Sequence, residues 1–309
     1  MSIGSKIAAV LLLCASGALA HAPNGISGTN LDGISIARKP QFSHTPIGYQ
    51  GPGDLVTSGG VAWYGLRAYT AAIAAAGNKI IRIHRINDDQ QCDLRADSAG
   101  GLGRTVNCEQ NISNQQAPET FCNATTCVVV ALYDQIGSND LKQSITSSQP
   151  TLTFNCLGSA ACITLVGVQQ FISLNSVTLA QPLSVVVAAL YNGTDSNTDL
   201  TLSENGDAVQ VGFNAFTADV IYGYAGTILS STGNTPIFHV IQFIANDPTS
   251  RLTINGTNTS GSAGTNAFST QLTLGAMNGQ FVEGGIWKQA LTPGQQSSIT
   301  NNTRTYWGF

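Results

Sequence analysis

Charge is scarce in this chain: 13 Lys and Arg and 17 Asp and Glu among 309 residues, with a formal net charge of −4. So few cations cannot build a basic face, which argues against nucleic acid as a partner. After the N-terminal segment no run reaches eighteen unbroken apolar residues, so no membrane-spanning helix is expected. The G-x-S-x-G elbow, the Walker A loop, H-E-x-x-H and the dinucleotide fingerprint are all absent. Any acid–base chemistry must therefore be drawn from a short inventory of carboxylates.

What is present begins with a secretion pattern. Lys6 supplies the charged start, Ile7 to Leu13 the apolar stretch, and Ala18-Leu19-Ala20 the cleavage motif. Residues 1–20 are predicted to be a signal peptide, and release outside the cell, or into a periplasm, is the expected localisation. Leu13 precedes Cys14 where a lipid-attachment site needs a small residue, so anchoring through Cys14 is not expected.

Six cysteines remain: Cys92, Cys108, Cys122, Cys127, Cys156 and Cys162. An even number in an exported chain favours disulfides, although six cysteines allow fifteen pairings. Nearest-neighbour closure gives Cys92–Cys108, Cys122–Cys127 and Cys156–Cys162. Zinc is the rival, but no C-x2-C pair or nearby histidine supports it.

Residues 21–50, rich in Gly, Pro and Asn, read as an extended lead-in to one domain over 51–309. The alanine-rich run Trp63 to Ala76, stopped by Gly77, predicts a helix. Lys79 to Ile86 predicts a strand with Arg82 and His84 on a polar face. Further strands are expected at 127–132, 151–154, 163–168, 183–191, 209–213, 220–229, 237–244, 252–254 and 271–274. Thr292-Pro293-Gly294-Gln295 reads as the capping-box start of a short terminal helix. Many short strands between Gly, Asn, Asp and Ser clusters imply an all-β sandwich or jelly roll with one or two peripheral helices.

The run Phe121 to Leu141, FCNATTCVVVALYDQIGSNDL, resembles the catalytic domain of the α-L-arabinofuranosidase B type, glycoside hydrolase family 54. That family carries a similar TFC-x4-C, an apolar strand, YDQSG and a loop ending in N-H-L. The opening Gly51-Pro52-Gly53-Asp54 and the later IHRINDD look like its GP-x-D and QRGSDD segments. The closing QFVEGGIWKQALTP strand and helix resemble the laminin-G-like, concanavalin-type jelly rolls, the fold expected here. The resemblance implies the Cys122–Cys127 disulfide and an enzyme releasing terminal α-L-arabinofuranosyl groups from polysaccharides. The arabinose-containing polysaccharide, or another glycan, is the expected partner. A non-catalytic laminin-G-like carbohydrate-binding or adhesion module is the alternative.

Retaining glycosidases use two carboxylates about 5 Å apart. The family's nucleophile lies in a segment like G-x-x-E-A-I-x-L-G, which Glu204 to Gly212 (ENGDAVQVG) matches with Asp207 at the Glu position. The shorter side chain is a handicap there, and Asp207, behind Asn205-Gly206, also reads as a plain turn residue. The family's acid sits in a loop like L-G-I-G-G-D-N-S-x-G. Leu274 to Gly284 aligns at its flanks, but the loop is shorter and lacks the Asp. Glu283 matches the strand Glu beyond it and is the replacement nearest in sequence, with Glu204 and Asp219 behind it. The catalytic candidates are therefore Asp207 and Glu283. Asp134, in YDQ, reads as a loop-fixing carboxylate.

No cofactor is expected. Asp195, Asp199, Glu204 and Asp207 fit no EF-hand spacing and read as a solvated loop. Cleavage after Ala20 would expose His21, which with His44, His84 or His239 resembles a copper brace. The Gly- and Pro-rich lead-in argues against so rigid a site.

Overall fold

The computed structural model describes residues 48–109, 115–167, 169–192, 198–205, 208–214, 220–232 and 236–309. The expected signal peptide and nearly all of the lead-in lie outside them. The described residues fall in one compact unit, Ser43–Phe309.

The chain enters through α1 (Pro52–Leu55) and β1 (Gly60–Gly65), then α2 (Ala71–Ala76). Next come β2 (Lys79–Arg85), β3 (Gln90–Ala96), β4 (Leu102–Val106), α3 (Pro118–Phe121), β5 (Cys127–Leu132), β6 (Leu141–Lys142), β7 (Thr151–Leu157), β8 (Ala160–Leu165) and β9 (Gln170–Ser176). The second half runs β10 (Leu183–Tyr191), β11 (Thr198–Glu204), β12 (Gln210–Asn214), β13 (Val220–Tyr224), β14 (Ile228–Thr232) and β15 (His239–Ala245). It closes with β16 (Ser250–Ile254), β17 (Thr257–Gly261), β18 (Gln271–Gly275), β19 (Gly279–Trp287) and α4 (Pro293–Trp307).

All named pairings are antiparallel and they build two layers. One runs β1-β19-β10-β15-β16-β17. The other runs β4-β3-β2-β5-β6-β9-β18-β11-β12-β13-β14. Strands β7 and β8 bridge them, pairing with β5 and β19. The result is an all-β, concanavalin-like jelly-roll sandwich. The layers meet closely where β13 crosses β15: a Cβ on Gly223 would lie 2.2 Å from the Phe243 ring. Only glycine fits there.

Burial on both faces explains the unbroken apolar runs. On β10, Val185 and Val187 point into the main core with Ile241 and Phe243. Val186 points the other way and joins Val240, Ile244, Trp287 and Ile299 beneath α4. That helix is also tied down by polar groups, since the Gln242 amide donates to Gln296 O and Thr300 Oγ1, both at 2.8 Å. Its capping box forms as expected, Thr292 and Gln295 each accepting from the other's backbone. At 15 residues it is longer than the sequence suggested.

Two expectations are corrected. The helix predicted over Trp63 to Ala76 is confined to Ala71–Ala76, capped by Thr70 and by Gly77 at φ 62°. Trp63 and Tyr64 instead lie in β1, fully buried beside β19, because aromatic side chains gain more from a strand packed on both faces. The strand predicted over 220–229 is two strands, β13 and β14, which pair across a turn. In β2 the separate polar face also disappears. His84 is buried along with Ile80, Ile81 and Ile83.

All three disulfides form by nearest-neighbour closure: Cys92–Cys108, Cys122–Cys127 and Cys156–Cys162.

Candidate active site

The β11–β12 hairpin closes with Glu204 N donating to Val209 O at 3.0 Å. Asp207, the expected nucleophile, belongs to its connector and lies outside the described residues, as do Asp195 and Asp219. The base of the hairpin is firmly held. Asn205 N donates to Gln271 O at 2.7 Å, and Thr270 Oγ1 donates to Asn205 O at 2.6 Å. Glu204 is buried, and its Oε1 accepts from both Ser269 N and Ser269 Oγ at 2.7 Å. Its Oε2 is buried and has no hydrogen-bond partner among the described residues.

The shortened turn between β18 and β19 faces a different neighbour. Ala276, at φ 54°, donates its N–H to Gln169 O at 2.8 Å, and Asn278 Oδ1 accepts from Gly167 N at 2.5 Å. Residues 276–279 contain no carboxylate. Beyond the turn, Glu283 is only 1% exposed and is clamped by Arg67, which is 0% exposed. Arg67 Nη2 donates to Glu283 Oε1 at 2.7 Å, and Nε donates to Oε2. Thr303 Oγ1, from α4, donates to Oε1 at 2.7 Å. Burial works against the Arg67 charge, yet the Glu283 carboxylate more than compensates and raises the guanidinium above its ordinary value. Arg67 also stacks on Tyr306, 4.6 Å from the ring centre. The Glu283 carboxylate is thus enclosed by the protein's own donors.

Asp134 fixes a loop. Its carboxylate accepts from the N–H groups of Trp63, Ile136 and Asn139 at 3.0–3.2 Å. The YDQ motif therefore pins the strand exit of β5 to β1, and Gln135 continues the tie with Tyr69 N donating to its Oε1 at 2.7 Å. His84 contacts Gln149 Oε1 at 3.2 Å and Asp89 Oδ1 at 2.6 Å, while His239 Nδ1 lies 3.1 Å from Asn255 Nδ2. His21 and His44 lie outside the described residues. Among the described residues no three His, Cys, Asp or Glu side chains converge as a metal site.

Sequence reading missed Asp93. On β3 it is buried and bound by Lys79, Arg82, Tyr133 and Asn107. Burial pushes its carboxyl up, but the hydrogen bonds from Lys79, Tyr133 and Asn107 outweigh it and leave it below the ordinary value. The same setting raises the Tyr133 phenol, first through burial and then through Asp93. Nothing in spacing announces this cluster, because its members come from four separate segments.

An antiparallel jelly-roll sandwich that holds a fixed YDQ loop at the end of β5 is the class the structure defines. Residues 52–172 match the family described as alpha-L-arabinofuranosidase B, catalytic. An alpha-L-arabinofuranosidase B of Emericella nidulans is 30% identical over 96 residues, 30% of this chain and 17% of that protein. A probable alpha-L-arabinofuranosidase B of Aspergillus fumigatus is 29% identical over the same share. Among solved structures, an arabinofuranosidase complexed with arabinofuranosyl-alpha-1,2-xylobiose superposes with a TM-score of 0.59. It is 16% identical, with 82% of this chain and 64% of that chain covered. A glycoside hydrolase family 54 arabinofuranosidase soaked with a cyclic sulfate inhibitor gives 0.57 at the same identity and coverage. The matched part thus spans less than two thirds of these proteins' own length, and the structural likeness establishes the fold.

Proposed function

We propose that this protein is an exported glycoside hydrolase of the arabinofuranosidase type, releasing terminal α-L-arabinofuranosyl groups from polysaccharides. In this reading residues 1–20 direct export, 21–50 are a lead-in and 51–309 form the active domain. The observation that carries it is the arabinofuranosidase B match over residues 52–172, set in a sandwich that superposes on solved arabinofuranosidases over 82% of the chain. Three disulfides favour an oxidising compartment. Asp207 is the proposed nucleophile, on its place in ENGDAVQVG, and Glu283 is read as an internal clamp because Arg67 and Thr303 occupy both of its oxygens.

A second reading, a carbohydrate-binding or adhesion module, is favoured by one observation. The turn over 276–279 offers no carboxylate, and the strand Glu beyond it is sealed away. One assay separates the two readings. The whole chain, incubated with 4-nitrophenyl α-L-arabinofuranoside, is expected to release 4-nitrophenol and arabinose, and Asp207→Ala to abolish release. Glycan binding without turnover would establish the module instead.

A further inference from the structure

We infer that Arg95 and Arg104 form a carboxylate-binding subsite that takes a uronic acid residue of a polysaccharide, an inference that rests on the glycan partner proposed above. Arg95 lies on β3 and Arg104 on the neighbouring strand β4. Their guanidinium groups converge on one residue. Arg95 Nη2 donates to Gln115 Oε1 at 2.7 Å, and Arg104 Nη1 donates to Gln115 O at 2.6 Å. Gln115 sits at φ 73°, a left-handed conformation that costs a residue other than glycine free energy. The buried Thr105 keeps it there, since Gln115 N donates to Thr105 O at 2.7 Å and Gln116 N to Thr105 Oγ1 at 2.9 Å.

What sets this pair apart is the charge left over. Arg67, Arg82 and Arg85 each meet a carboxylate, whereas Arg95 and Arg104 share one neutral glutamine. No Asp or Glu among the described residues pairs with either of them. The acids nearest in sequence are committed elsewhere: Asp93 to Lys79 and Arg82, Asp97 to the N–H groups of Ala99 and Gly101, and Glu109 to Arg82. No further acid occurs before Glu119. Lys79 stands opposite Arg95 across the β2–β3 pairing with its side chain half exposed, so three cations crowd one corner of the sheet. Like charges set opposite one another destabilise a sheet, and such crowding is explained by an anion that arrives from outside. Each guanidinium has five N–H donors and spends one on Gln115. Arg104 is exposed and Arg95 partly so, which leaves the spot open to a chain lying on the surface. Fork-shaped donors held side by side match the two oxygens of a carboxylate. Two guanidiniums on a chain of net charge −4 suit a polymer with widely spaced charges, not nucleic acid, which binds through many phosphates. A polysaccharide carrying occasional uronic acids has that spacing.

The test compares one polymer with and without its carboxyl groups. A glucuronic acid-substituted arabinoxylan is used as it stands and after reduction of its carboxyl groups to primary alcohols, and affinity electrophoresis of the whole chain reads the binding. The unreduced polymer should bind about tenfold more tightly than the reduced one, and Arg95→Gln with Arg104→Gln together should erase that preference. Arg95→Lys with Arg104→Lys keeps both charges but loses the forks, and should retain only part of it. Raising the salt to about 0.5 M should weaken the preference as well. Binding of the reduced polymer should be the same in every variant, which checks that each one folds. Equal binding of the two polymers by the wild-type chain, or a preference that survives in the double Gln variant, would overturn the subsite. A preference for dextran sulfate over the glucuronic acid polymer would overturn its assignment to a uronic acid. Arabinose release is read in parallel. Carboxyl-dependent binding without release sinks the hydrolase reading and leaves the subsite standing, while release with no carboxyl dependence does the reverse. Binding of neither polymer sinks both.

Discussion

Arg67 and Glu283 lie 216 positions apart in the chain and meet as a fully buried, two-pronged ion pair. The pair joins the segment after β1 to β19, and Thr303 extends it to α4. A buried pair contributes little net stability over an apolar replacement, yet breaking one side strands the other charge. Arg67→Ala and Glu283→Ala should therefore each lose about 3–5 kcal/mol, while Arg67→Met with Glu283→Leu recovers much of that loss. Urea unfolding of the three variants measures the difference.

The disulfides should rank by loop length. Cys92–Cys108 closes a separation of 16 and Cys122–Cys127 one of 5. Loop-closure entropy gives about 3 kcal/mol for the first and about 2 kcal/mol for the second. Paired Cys→Ser variants compared by chemical denaturation should show that order.

Asp93 should make stability depend on acid pH. Its folded value lies below the ordinary carboxyl value, so its contribution is complete above the unfolded value of about 4 and is lost as pH falls through the lower folded value. The stability gap between wild type and Asp93→Asn should therefore narrow below about pH 4. Unfolding curves at pH 3 and pH 7 provide the check.

Asp134→Ala leaves the N–H groups of Trp63, Ile136 and Asn139 without their acceptor. A loss of about 3 kcal/mol is expected from three donors left unpaired around a buried carboxylate position. Gly137→Ala should also destabilise, since a Cβ there would lie 2.9 Å from Asp134 Oδ2. Faster hydrogen exchange at 134–139 in either variant would locate the damage in this loop.

Local chemistry fixed much of what was read from the sequence. The Thr292 capping box, the Gly77 cap, β5 and β10 to the residue, and all three disulfides follow from patterns spanning a few residues. The arabinofuranosidase B resemblance was legible for the same reason, since the FC-x4-C to YDQ run is contiguous. Where a tertiary neighbour decides, the reading failed: Trp63 and Tyr64 look helical beside so many alanines, but β19 makes them a strand.

Which carboxylate is free is also a tertiary question. In sequence Glu283 reads as the nearest replacement for the family's acid, with Glu204 behind it. Only packing brings Arg67 across 216 residues to occupy one of them, and brings Ser269 to hold a single oxygen of the other. A chain specifies its strands through short-range periodicity, but the partner of a buried charge is set by how the layers stack.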